Sequence, residues 1–141
     1  MMNILEKINA RLPKLPVKII DLLVYLNKTL ALPIGILGII FSISVLAFTI
    51  FVSRTLNMDS NIWLKMSVSS VVILVSSIWL LMAYPHLKKN LIRGWSLIFW
   101  ITVLGDVNLI FNFFISGFSI FSMFGIFFGY YLLFQMKPRY H

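Results

Sequence analysis

Four long apolar runs, at about residues 33–52, 63–83, 95–113 and 118–135, constrain what this 141-residue chain can fold into. Each holds about 18–21 residues. A helix rising 1.5 Å per residue needs about 20 to cross a ~30 Å hydrocarbon core. The chain is 60% hydrophobic and 11% charged, against about 25% charged in soluble domains. Helices this apolar lack the polar outer face that a water-soluble bundle requires. The expected fold class is therefore all-α: a polytopic membrane protein, with a four-transmembrane-helix bundle over residues 33–136.

The cations sort around those runs. If all four cross a bilayer, Lys7, Arg11, Lys14, Lys18, Lys28, Lys88, Lys89, Arg93, Lys137 and Arg139 fall on one side, and Arg54 and Lys65 on the other. Short Lys/Arg-rich flanks stay cytoplasmic, so both termini are expected inside, at the cell inner membrane. The net charge of +8 flanks spans and forms no continuous stripe with stacking aromatics. It therefore points to anionic lipid headgroups on the inner side and not to nucleic acid. Lys18, Lys28, Lys88, Lys89, Arg93, Lys137 and Arg139 are the candidate headgroup contacts. With no cysteine, disulfides, thiolate metal sites and cysteine lipidation are excluded. Glu6, Lys7, Arg11, Lys14, Lys18 and Asp21 interrupt the stretch where a signal peptide needs an apolar region, so the first span is expected to be an uncleaved anchor.

Residues 1–32 form a cytoplasmic or interfacial segment in this scheme. Pro13 and Pro16 break any continuous helix early in it. Lys18, Asp21, Tyr25 and Lys28 then recur at helical spacing, with Ile19, Ile20, Leu22, Leu23, Leu26 and Leu30 on the remaining surface. That spacing predicts an amphipathic interfacial helix whose lysines reach the headgroups. Pro33 suits the first turn of a new helix, which predicts an elbow near Leu32 and Pro33. Tyr84 and Trp95 bracket the basic inner loop and mark headgroup level. The link at 114–117 is short enough to force an antiparallel hairpin, and residues 137–141 make a basic tail.

Lipid tails are as apolar as leucine, so spans associate through small residues and polar contacts. Gly35, Gly38, Ser42 and Thr49 share a face in the first span, and Ser69, Ser70, Ser76 and Ser77 form two pairs in the second. Ser119, Ser122, Gly125 and Gly129 line the fourth, to pack within the chain or against another copy, the first being the expectation. The third span carries Thr102, Gly105, Asp106, Asn108 and Asn112 on less than half of its circumference. An acid at that depth costs about 2.5–3.5 kcal/mol on insertion scales and should face the bundle interior or a water-filled cavity. Thr102, Asp106, Asn108 and Asn112 are thus the candidate intramembrane polar cluster. It is either a structural tie between helices or, as the alternative, a proton or cation relay titrating at Asp106.

No dinucleotide, phosphate-loop, zincin, nucleophile-elbow or dithiol motif occurs. His86 and His141 both lie outside the runs, too few and too separate for a metal or haem site. Many serines occur without an accompanying base. No enzyme, cofactor or metal is expected.

At KKNLIRGWSLIFW (residues 88–100) and GYYLLFQMKPRY (residues 129–140) the chain resembles a group of small bacterial four-span integral membrane proteins. These have a basic loop before a Gly-Trp start to the third span and end in a Tyr-Leu-Leu-Phe-Gln stretch with a basic, aromatic tail. The resemblance covers about a fifth of the chain and implies no activity, and Asp106 lies outside it. Small multidrug transporters also have four spans, but depend on a glutamate in the first, which is missing here. The expectation is a structural or accessory membrane component that contacts lipid, another membrane protein or a second copy. The alternative is a small transporter or channel subunit using Asp106.

Overall fold

The computed structural model describes residues 2–55, 59–117 and 120–141, with the side chains of 2–5, 10, 54, 55, 116 and 121 excepted. Phe118, at the start of the fourth apolar run, and Ser119 of its small face lie outside the described residues, as does part of the link between the first two apolar runs, 56–58. The described residues form five α-helices: α1 (Met2–Arg11), α2 (Val17–Thr55), α3 (Ser60–Lys88), α4 (Ile92–Ser116) and α5 (Ile120–Met136). A 3₁₀ turn at Lys137–Arg139 follows. Three stretches, Val17–Ser53, Ser60–Lys88 and Ile92–Ile115, are long and apolar enough to cross a membrane. The 17 described residues of α5 rise about 25 Å, slightly less than a ~30 Å core.

Local chemistry sets the boundaries. Pro13 and Pro16 sit between α1 and α2, and the Pro16 carbonyl accepts from Ile19 and Ile20 to start α2. Asp59 caps α3, its carboxylate accepting from Asn61 N at 2.8 Å. At the other end of α3 the Leu91 N–H reaches the His86 carbonyl (2.9 Å) and the Asn90 N–H reaches that of Leu87 (3.0 Å). This paired termination places Asn90 in the left-handed region at φ 55°, a conformation asparagine tolerates better than most residues. The chain then reverses so closely that a Cβ on Gly94 would lie 2.7 Å from the Leu87 nitrogen.

The elbow expected at Leu32 and Pro33 does not form, because α2 continues through Pro33 for 39 residues. Proline removes the N–H that would bond the Thr29 carbonyl and normally kinks or breaks a helix. Here tertiary packing holds both sides of it. Val24 and Ala31 are buried before it, and Gly35 closes on Leu81 after it.

The α2–α3 seam is the tightest in the bundle. A Cβ on Gly35 would sit 2.6 Å from Leu81 Cδ2. One on Gly38 would collide with Ser77 Oγ. Ser42, Thr49, Ser70 and Ser77 are buried along it. Each hydroxyl donates to its own helix: Ser42 to Ile39 O (2.9 Å), Thr49 to Val45 O, Ser70 to Met66 O and Ser77 to Ile73 O (each 2.7 Å). These residues therefore act through small volume, with their polar atoms satisfied locally.

The aromatic core lies at one end. Trp95, Phe99, Leu133 and Phe134 bury together with Ala83 and Leu87. Trp95 stacks on Phe99 at 5.7 Å and meets Phe134 edge-on at 5.5 Å, which orients α5 antiparallel to α4. Trp95 is not a lipid-facing headgroup marker: it is 1% exposed, and its indole N–H donates to Leu133 O at 2.9 Å. Toward Gly117, α4 and α5 do not pack against each other in this way. A Cβ on Gly105, Gly125 or Gly129 would meet nothing within 4 Å. Phe124, Phe127 and Phe128 are 60–70% exposed.

Candidate functional site

Two groups of polar residues are built by this architecture, one midway along α4 and one at the end of the bundle where the chain termini meet. On α4 the four residues singled out from sequence part company. Successive helical residues rotate by about 100°, so Asp106 and Asn108 point in directions about 160° apart. Asn108 and Asn112 turn to α3, where Ser69 Oγ donates to Asn108 Oδ1 and the Asn112 amide donates to Ser69 Oγ, both at 3.2 Å. The Asn112 amide also reaches the Asn108 carbonyl at 2.8 Å. Its carbonyl oxygen is buried and has no partner among the described residues. Thr102 donates to Ile98 O of its own helix at 3.0 Å. Asp106 turns to α5, where its carboxyl faces the Tyr130 hydroxyl. The cluster is therefore a three-residue tie to α3 plus a separate Asp–Tyr pair to α5.

Tyr130 was not legible as a site residue from composition. Hairpin geometry does offer a signal: counted from Gly117, Asp106 lies 11 residues before and Tyr130 13 residues after, so an antiparallel return brings them to similar depth.

The second group ties both ends of the chain together. Tyr131 OH donates to Pro13 O at 2.6 Å, and Gln135 Nε2 lies 3.4 Å from Asn9 Oδ1. Lys137 pairs with Glu6 and also sits 5.1 Å above the Trp95 ring. Arg139 Nη2 meets Asp21 Oδ1 at 2.9 Å. His141 pairs its main chain with the α3–α4 loop, donating to Asn90 O (2.8 Å) and accepting from Ile92 N (2.6 Å). Tyr140 is buried between these contacts. Its hydroxyl lies beside the Asn27 amide, which itself donates to Met136 Sδ at 3.3 Å. The phenol oxygen is thus left without a well-formed bond, and burial raises the Tyr140 pKa above the usual phenol value.

The candidate headgroup cations fall into three settings. Lys18, Lys88, Lys89 and Arg93 are exposed. Lys137 and Arg139 are engaged by Glu6 and Asp21. Lys28 is half-buried and lines a cleft against the C-terminal tail. Glu6 and Asp21, half of the chain's four acids, are spent on this clasp, a role that sequence spacing did not reveal. His86 lends its carbonyl to the α3–α4 turn. Among the described residues no three His, Asp or Glu side chains converge on one point.

The described residues are helical and include three helices long and apolar enough to cross a bilayer, a make-up compatible with a helical membrane protein. No protein-family model, no curated protein and no solved structure matches the chain.

Proposed function

We propose that this protein is a non-catalytic structural or accessory component of the cell inner membrane, held by four spans with both termini cytoplasmic. In this reading α5 is the fourth span, α1 lies at the interface, the inner stretch of α2 continues its span through the headgroup layer, and the basic end contacts anionic headgroups. The carrying observation is the uneven packing of α5. Its foot is knitted to α1, α4 and the loop through Tyr131, Leu133, Phe134 and Gln135, whereas Phe124, Phe127 and Phe128 are left bare. A helix fixed at one end and uncovered along the membrane suits lateral contact with lipid or another membrane protein. The Lys/Arg asymmetry supports the orientation. The test is a photoreactive residue at Phe124, irradiated in native membranes and followed by mass spectrometry. A reproducible protein adduct is expected, and recovery of lipid and self-adducts alone refutes the protein-partner role.

The Asp106–Tyr130 pair favours a second reading. It lies between two helices that leave open space beside Gly105, Gly125 and Gly129, which suits a small proton- or cation-coupled transporter or channel subunit. In proteoliposomes a pH-gradient dye should report flux that Asp106→Asn abolishes. Identical traces remove this reading.

A further inference from the structure

The polar stripe of α2, read from sequence as a face turned to open headgroups, forms one wall of a cleft of about 400 Å³. Asp21, Tyr25 and Lys28 make that wall, and Asn90, Arg139 and His141 stand opposite. Lys28 precedes Pro33, where the apolar run begins, by five residues, about 7.5 Å along the helix axis. The headgroup layer is about 5–8 Å deep on each side of the hydrocarbon, so the mouth of the cleft lies at phosphate level.

The charges there are poised for an anion. Lys28 has no ion-pair partner among the described residues. Arg139 spends one contact on Asp21, which leaves most of its five donors unused. Among the side chains, Lys28 and Arg139 against Asp21 leave a surplus of one positive charge. The Tyr25 hydroxyl and the His141 ring have no hydrogen-bond partner among the described residues, and both can donate. The wall opposite α2 is preorganised. Two main-chain bonds hold His141 to the loop, and the Tyr140 N–H closes the 3₁₀ turn on Lys137 O at 3.0 Å. A site fixed before binding loses little entropy when the ligand arrives. Lys137, in the same turn, is taken up by Glu6 and Trp95, and Lys88 and Lys89 stand exposed outside the cleft.

We propose that this cleft binds one phosphate-bearing anion, taken by Lys28 and Arg139, with Tyr25 and His141 donating to its remaining oxygens. At this depth the source is the phosphodiester of an anionic lipid headgroup, and free phosphate is the other source of the same chemistry. The proposal rests on the membrane reading above and narrows its diffuse headgroup contact to a single site.

The experiment titrates the purified full-length chain with phosphatidylglycerol under native mass spectrometry, and separately with inorganic phosphate followed by phosphorus NMR. One saturable phosphatidylglycerol is expected, weakened about fivefold by Lys28→Gln and by Arg139→Gln, the worth of one cation near a headgroup. Lys28→Arg should keep it, and so should a Lys88→Gln/Lys89→Gln pair. Asp21→Asn removes the negative charge and should bind at least as tightly as wild type, a result misfolding cannot mimic. Binding of inorganic phosphate with the same dependence, in place of the lipid, assigns the site to the free anion. The proposal is overturned if neither probe binds in a Lys28- and Arg139-dependent way. It also fails if Lys88→Gln/Lys89→Gln loses as much affinity, or if Asp21→Asn weakens binding as Arg139→Gln does. A chain that fails here yet is crosslinked to a membrane partner through α5 loses the site and keeps the accessory role.

Discussion

Replacing Gly38 by alanine places a methyl group against Ser77, and the outcome follows from geometry. The new Cβ would overlap Ser77 Oγ and lie 3.2 Å from Ser77 Cβ. Ser77 must then rotate away and give up its 2.7 Å bond to Ile73 O, or α2 and α3 must separate along a seam that also buries Ser42, Thr49 and Ser70. Overpacking of this kind costs about 1–3 kcal/mol. Alanine also gains about 1 kcal/mol of helix propensity over glycine, which offsets part of the cost. Gly125→Ala supplies the control, because it carries the same propensity gain into open space. The difference between the two variants isolates the clash at about 2 kcal/mol, a factor of about 30 in the folded-to-unfolded ratio. Steric trapping or reversible denaturant unfolding in micelles measures both. A Gly38→Ala/Ser77→Gly double variant should recover at least about 0.5 kcal/mol beyond additivity, since the two residues touch. Equal stabilities for Gly38→Ala and Gly125→Ala would refute the close α2–α3 seam.

Other perturbations address the aromatic end of the bundle. Trp95→Phe keeps the ring stack but deletes the donor to Leu133 O, so it should cost about 1–2 kcal/mol by the same unfolding assay. Breaking the Glu6–Lys137 pair with Glu6→Gln should change stability by less than about 1 kcal/mol, since both side chains are about a third exposed. It should nevertheless increase cleavage by protease between α1 and α2. The raised Tyr140 pKa means the unfolded chain releases that proton first. Stability should therefore hold up to about pH 10 and fall above it, a loss that Tyr140→Phe removes from the alkaline unfolding profile.

Much of the helical layout was legible because a bilayer imposes a length. The second and third apolar runs fall inside α3 and α4, and the small residues of the first span meet Ser70 and Ser77 along one seam, while Ser69 turns to α4. Pro33 misled because a proline's local preference was outweighed by packing on both sides of it, at Ala31 and Gly35, and that packing depends on α3. Trp95 carried an ambiguous signal. An aromatic beside a basic loop suits the interface equally well, and its actual partner is a carbonyl 38 residues away. The α4 polar residues were recognisable as unusual, yet their division between Ser69 and Tyr130 depends on how α3 and α5 are rotated. The clasp of Glu6, Asp21, Lys137 and Arg139 was hidden for a similar reason: opposite charges over 100 residues apart carry no spacing to read.

The absence of native cysteine allows single cysteines to map which parts of the chain face which side of the membrane. Lys7→Cys, Asp59→Cys and Lys89→Cys would be introduced one at a time and exposed to a membrane-impermeant maleimide on intact cells. Labelling at position 59 alone is predicted, with positions 7 and 89 reacting only after the membrane is permeabilised. Reaction of positions 7 and 89 from opposite faces, or of all three from one face, would contradict the architecture on which the account rests.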